Sequence, residues 1–295
     1  MLSLGIDVGG TKAEAVTLDA EGKILARQVV PTMKGAEGVY QTIGALTGRM
    51  QECLGVEAKA FTSVGVGIPG LVDPATGVVK TAVNLDLAEA PLKAMLERDF
   101  SVPVAIENDV KATALGALRF ARTPASLTYI NIGTGFSTAT VMDGRVLRGK
   151  SNGAGELGHL VVEPGGDLCG CGQHGCVETV VGGKYLTVRM QGLGVDLRAL
   201  FNTDTDRAKA EVKRILCAMR TLVEAVLTAY DPEAIVLGGG IVEAAPWLTE
   251  AVKTVFEEDA KESEFIAGLD PAARIFELRT SDPVAAIGAA LVGRI

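Results

Sequence analysis

No stretch of the sequence is apolar enough to cross a bilayer. The longest run without a charge, 123–142, carries Asn131, Gly133, Gly135 and seven Ser or Thr, too polar for lipid, and reads as core strands. A basic patch is also lacking. The 28 Lys and Arg face 36 Asp and Glu, a net charge of −8 with a pI near 5.0, so neither nucleic acid nor a membrane surface is an expected partner. The opening MLSLGIDVGG has no basic n-region and no apolar h-region. No export signal is expected, and a cytoplasmic location is. Histidine is scarce, at two residues. The five cysteines, at 53, 169, 171, 176 and 217, are odd in number and clustered, which argues against a disulfide framework and for metal ligation.

What is present is ample core. With 48% hydrophobic residues over 295 positions, the chain can form one large domain or two lobes. Apolar residues alternate at Leu2, Leu4, Ile6 and Val8 and break at Gly9-Gly10-Thr11. They resume over 13–18 and, after the turn Asp19-Ala20-Glu21-Gly22, over 24–30, which predicts an antiparallel meander. Further strands are expected at 62–68, 102–106, 234–237 and 274–278. Helices are expected at 38–54, 91–100, 111–120, 204–230, 245–256 and 283–292. Strands alternating with helices imply α/β layers.

The opening pattern recurs. Ile6-Asp7-Val8-Gly9-Gly10-Thr11 matches Ile130-Asn131-Ile132-Gly133-Thr134-Gly135. The same offset sets Ala15 against Ala139, Leu18 against Met142 and Asp19 against Asp143. After a two-residue gap, Gly22-Lys23-Ile24-Leu25 meets Gly144-Arg145-Val146-Leu147. A duplicated unit implies two lobes with a ligand cleft between them.

Three groups of residues carry chemistry. Glycines directly after a buried strand, as in Asp7-Val8-Gly9-Gly10-Thr11-Lys12, let backbone amides approach phosphate, and the strand-end Asp7 suits a magnesium ion held through water. Gly133-Thr134-Gly135 offers a second such turn. Neither is a Walker A sequence, and each alone also suits a plain tight hairpin. Glu107-Asn108-Asp109 follows an apolar strand. Asn108 there suits a sugar hydroxyl and Asp109 the proton of an attacking hydroxyl, and the same residues suit a helix N-cap. Finally, His159, Cys169, Cys171 and Cys176 supply the one nitrogen and three thiolates of a closed tetrahedral zinc site, with Gly165, Gly166, Gly170, Gly172 and Gly175 letting the loop fold tightly. His174 competes as fourth ligand. His159 is favoured because it draws a distant segment into the cluster. Its second nitrogen would then serve a sugar hydroxyl, with Glu156 and Glu178 flanking. Metal removal is expected to weaken binding there more than binding at the glycine turns, which lie elsewhere in the sequence.

With DVGGTK at 7–12, GIPG at 67–70, END at 107–109, GTG at 133–135, ELGH at 156–159, CGCGQHGCVE at 169–178 and GGG at 238–240, the chain resembles the ROK family (repressors, open reading frames and sugar kinases) over nearly its whole length. The resemblance implies an α/β, two-lobed actin-like/hexokinase-like ATPase fold, with a duplicated βββαβαβα core and an active-site cleft between the lobes. The expected lobes are 1–110 plus 283–295 and 111–282, the second carrying a zinc loop at 159–178. The implied activity is transfer of the ATP γ-phosphoryl group to a hexose, glucose at its 6-hydroxyl first. The alternatives are mannose, fructose, allose, N-acetylglucosamine, N-acetylmannosamine, or a sugar sensor without turnover.

By position, Asp109 would be the base. Asn84, Asn108, Asp109, Glu156, His159 and Glu178 would bind sugar. Asp7, Gly9, Gly10, Thr11, Lys12, Gly133, Thr134, Gly135, Gly238, Gly239 and Gly240 would hold ATP and Mg2+. His159, Cys169, Cys171 and Cys176 would hold a structural Zn2+. A homo-oligomer, dimer or tetramer, is expected. The repressors of the family carry a helix-turn-helix domain first; with a strand starting at Leu2, none is expected here. The chain departs from the family pattern at Phe136-Ser137-Thr138-Ala139, at Asp86-Leu87 after Asn84, and at Lys111, where a second Asn is usual.

Overall fold

The computed structural model describes residues 1–100, 102–121, 125–278 and 281–294. Thr123 and Pro124 of the uncharged run, and residues 101, 122, 279, 280 and 295 of the expected lobes, lie outside them. In chain order the elements are β1 (Leu2–Val8), β2 (Lys12–Leu18), β3 (Ile24–Pro31), α1 (Gly35–Leu54), β4 (Phe61–Ile68), β5 (Leu71–Asp73), β6 (Val78–Ala82), β7 (Leu87–Ala90), α2 (Leu92–Leu96), β8 (Val104–Asn108) and α3 (Asp109–Ala117). There follow β9 (Leu127–Ile132), β10 (Phe136–Met142), β11 (Arg145–Val146), α4 (Val177–Val181), α5 (Gly183–Leu193), α6 (Asp206–Tyr230), β12 (Ala234–Gly238) and α7 (Gly240–Ala244). The last are α8 (Leu248–Glu262), α9 (Glu264–Leu269), α10 (Pro271–Arg274), β13 (Ile275–Glu277) and α11 (Val284–Val292).

Two five-stranded sheets repeat one plan. Their orders are β3-β2-β1-β4-β8 and β11-β10-β9-β12-β13. In each, the first strand pairs antiparallel with the second and parallel with the fourth. The duplication is therefore one of topology, with a correction to its register. Val8 pairs with Ala13 across a turn of residues 9–12, whereas Ile132 pairs with Phe136 across the shorter turn 133–135. Ala15, the partner of Ile6, corresponds to Thr138, the partner of Ile130, and not to Ala139. Leu18 likewise corresponds to Val141. The later match of Ile24 to Val146 holds, because both pair with those equivalent residues. Asp143 and Gly144 both have positive φ, 49° and 70°, as a two-residue type I′ hairpin requires.

Boundaries move in ways that matter. Strand β8 runs on through Glu107 and Asn108, so α3 begins at Asp109 rather than Lys111. Asn108 is its N-cap, accepting from the Val110 and Lys111 amides. The helix expected at 245–256 starts only at Leu248, after Pro246. A third sheet, β5-β6-β7, was not expected at all.

Contacts divide the chain into two compact units, 1–120 with 148–153 and 280–295, and 121–147 with 154–279. The boundary expected at 110/111 thus falls inside α3, which belongs wholly to the first unit. Segment 148–153 joins that unit through ionic and polar ties. Arg148 pairs with Glu107 at 2.8 Å, the Lys111 ammonium donates to Asn152, and Asn152 donates to the Val72 carbonyl at 2.7 Å. The first unit packs around Leu4, Ile6, Val66 and Ile106, the second around Ile130, Leu222, Val223 and Leu237. Among the described residues no helix is long and apolar enough to cross a membrane.

In the first unit α11 lies on β1, β4 and α3 almost backbone to backbone. A Cβ on Gly5 would stand 2.0 Å from the Ala286 carbonyl, one on Gly65 1.8 Å from that of Ala289, and one on Gly288 1.7 Å from that of Ala112. The obstacles are main-chain atoms and cannot swing away. Gly288→Ala should cost about 3 kcal/mol or more in denaturant unfolding. Gly44→Ala, in α1 with nothing within 4 Å of the new methyl, should be neutral or stabilise by up to about 1 kcal/mol. Equal midpoints for the two variants would refute this packing.

Candidate functional site

In the first unit the parallel ladder aligns Asp7, Gly67 and Glu107 across β1, β4 and β8. Gly67 is the spacer between two carboxylates. The methyl it lacks would sit 3.8 Å from Asp7 Oδ1 and 3.7 Å from the Asp109 Cα. Both acids are half-buried. Burial first, then the charge of Asp109, pushes the Asp7 carboxyl up to about 7. Burial also raises Asp109, against hydrogen bonds from the Val110 amide at 2.9 Å and the Asn108 side-chain amide at 3.0 Å. A carboxylate with a raised pKa at the first turn of a helix suits proton transfer, and a half-buried pair of acids suits a divalent cation.

The neighbouring residues hold this pair in place. Asn108 also donates to the Gly70 carbonyl at 3.1 Å. Glu107, fully buried, takes the Asn108 amide on one oxygen and Arg148 on the other. The turn after β1 is closed by the Gly9 amide on the Lys12 carbonyl at 3.0 Å. Asn84 lies against Gly10, its Cβ 3.5 Å from where a Gly10 Cβ would be. Thr11 and Lys12 are exposed.

In the second unit the Gly133–Gly135 turn is tied back to α5. Its Gly133 and Thr134 carbonyls accept from the Gly183 and Lys184 amides at 2.9 and 2.8 Å. The glycines at 238–240 join it. Gly239, at φ 96°, approaches so closely that a Cβ would meet the Ile132 carbonyl at 2.5 Å and Asn131 Oδ1 at 2.7 Å. Asn131 is the amide counterpart of Asp7 in the repeat. Beside these glycines a cleft of about 510 Å³ is lined by Leu186, Met190, Val195, Leu197, Ile241 and Ala244.

His159, Cys169, Cys171 and Cys176 converge in this same unit, their donor atoms all within 4.8 Å of one another. His159 Nδ1 is 3.6 Å from Cys169 Sγ, and Cys171 and Cys176 are 3.7 Å apart. Zinc–thiolate bonds of about 2.3 Å in a tetrahedron place ligands about 3.7 Å apart, so the donor set fits that ion. Without a cation the set could not ionise together. Burial pushes Cys176 up to about 12 and raises Cys169, while the Gln173 amide draws Cys171 down to about 6. His174 stands apart, bonded to the Gly166 carbonyl at 3.0 Å. Glu178 reaches from α4 to the Phe136 amide at 3.0 Å. Glu156 is exposed and offers its carbonyl to the His159 amide.

The sequence model of the ROK family matches residues 3–293. The chain belongs to the ROK family. Within it, the chain is 32% identical over 266 residues to an N-acetylmannosamine kinase of Vibrio cholerae, covering 86% of this chain and 89% of the relative. Among solved structures, a ROK hexokinase from Thermus thermophilus superposes with a TM-score of 0.86 at 30% identity, covering 100% and 98% of the two chains. A ROK family glucokinase from Streptomyces griseus, solved with glucose and AMPPNP, gives 0.76 at 27%, covering 100% and 99%. The two-sheet α/β fold of this ROK protein is thus the ROK and hexokinase-like one.

Three residues of the site escaped sequence reading in their structural role: Arg148, Asn152 and the buried Lys111. A lysine on the apolar face of α3, beside Val110, Ala112 and Leu115, was the available signal. Asp7 yields a pH prediction. The unfolded chain releases this proton near pH 4 and the folded one near 7, so wild-type stability falls relative to Asp7→Asn as pH rises between them. The variant should gain about 2 kcal/mol on wild type from pH 5 to pH 8 without divalent cation, a figure discounted because the carboxyl keeps part of its surface. A margin independent of pH in thermal melts would contradict the raised Asp7.

Proposed function

We propose that the chain is an ATP-dependent hexose kinase acting on the glucose 6-hydroxyl. The observation that carries this is the Asp7–Gly67–Asp109 arrangement, one carboxylate at a helix start and one at a strand end, both raised toward neutrality. Asp109 takes the proton of the sugar hydroxyl as its oxygen attacks the γ-phosphorus. The bond from that phosphorus to the β,γ-bridging oxygen breaks and ADP leaves. Asp7 holds the magnesium, which when bound neutralises charge on the terminal phosphates. Asn84, Asn108, Glu156, His159 and Glu178 orient the sugar.

Gly9, Gly10, Thr11 and Lys12 are phosphate-binding residues in this reading, and so are Gly133, Thr134, Gly135 and Gly238–Gly240. The apolar cleft around Ile241 takes the base. Zinc at His159 and the three cysteines has no open position and serves structure. Since Nδ1 faces the thiols, Nε2 is the atom left for a sugar hydroxyl. The Streptomyces griseus glucokinase with glucose and AMPPNP supports glucose. The Vibrio cholerae relative favours a second reading, a 2-acetamido hexose.

ADP release should be measured with glucose, mannose, fructose, allose, N-acetylglucosamine and N-acetylmannosamine. Glucose should give the highest kcat/KM, and Asp109→Asn should lower kcat about 10²-fold or more while sugar affinity stays within a few-fold. Turnover on none of them would replace the kinase reading by a sugar sensor. Elemental analysis should find one zinc per chain, kept in His174→Ala and lost in Cys171→Ser. Loss in His174→Ala with retention in His159→Ala would overturn the ligand set.

A further inference from the structure

Glu178 belongs to two neighbourhoods at once. It is the second residue of α4, whose N-cap is the cluster residue Cys176, and its Oε1 lies 3.8 Å from Cys169 Sγ. Its Oε2 accepts the Phe136 amide at 3.0 Å, directly after the Gly133–Gly135 turn. A Cβ on Gly135 would stand only 2.9 Å from that oxygen. A second route uses the main chain. The Glu178 carbonyl accepts from Gly182 at 2.8 Å, and the next two amides, Gly183 and Lys184, hold the Gly133 and Thr134 carbonyls. Side chain and backbone of one residue thus grip both sides of the turn. A carboxylate on a backbone amide is among the stronger hydrogen bonds. Fixing Cys176 fixes the first turn of α4, and with it the direction of this carboxylate. Residues 133–135 and 159–178 are separate in sequence, which suggests independence, but these contacts remove it.

We infer that Glu178 is a positioning residue through which the His/Cys cluster holds the Gly133–Gly135 turn, so that metal retention sets the affinity of that turn for a polyphosphate. The consequence for nucleotide rests on the phosphate role proposed for the turn. The mechanical link does not.

Hydrogen exchange over residues 131–140 and binding of a fluorescent ATP analogue should be measured on the full chain, zinc-loaded and chelated. In wild type, chelation should speed exchange of the Phe136 amide about tenfold and weaken the analogue by a similar factor. Cys171→Ser, which keeps Glu178, should behave like chelated wild type. Glu178→Ala should exchange fast from the start, with no further rise on chelation. Glu178→Gln, which keeps an acceptor oxygen, should stay within a few-fold of wild type. A protected Phe136 amide in zinc-loaded Glu178→Ala, or no change in Cys171→Ser, would overturn the inference. If the turn loosens while the analogue binds unchanged, the link stands and the phosphate role of the turn falls.

Discussion

The near contact of α11 with β1, β4 and α3 is the constraint from which the first unit's chemistry follows. Main-chain atoms meet where Gly5, Gly65, Gly116 and Gly288 carry no side chain. That approach fixes the axis of α3, and the N-terminal end of α3 is where Asp109 sits, facing the strand that carries Gly67. Had larger residues held α11 away from the sheet, the same helix would arrive displaced and Asp109 would not meet Asp7. Small residues here set where the two carboxyls lie; burial raises both above the usual carboxylate range, and the charge of Asp109 adds to the rise at Asp7.

The duplicated sheets show one scaffold put to two uses. Both hairpins end a central strand at a glycine turn. In the first unit an acid, Asp7, stands two residues before it, and the turn is closed by its own Gly9 to Lys12 bond. In the second unit the equivalent residue is Asn131, the turn is one residue shorter, and it is tied externally by α5 and Glu178. The acid thus lies within the strand of the first repeat and comes from a separate helix, as Glu178, in the second.

What the sequence made legible was local. Alternation over 2–30, the Asp143-Gly144 turn and the spacing of Cys169, Cys171 and Cys176 each carry their geometry within a few residues, and the structure has them so. What stayed hidden depends on distant partners. The one-residue slip between the repeats was masked because Gly and Thr align without a gap, while only strand register reveals the shorter turn. The three short strands of 71–90 have one or two buried residues each, too few to display a period. The tie of Arg148 and Asn152 to Glu107, Lys111 and Val72 spans 41 to 80 residues, beyond any local pattern.

Whether this chain moves a phosphoryl group onto a sugar is the claim on which the account stands, and phosphorus NMR of the reaction tests it most directly. With ATP, magnesium, glucose and the zinc-loaded protein, a phosphomonoester signal of a sugar phosphate should grow in step with ADP, with inorganic phosphate absent. Growth of inorganic phosphate in place of the ester, or ATP that stays intact with every hexose supplied, would contradict it.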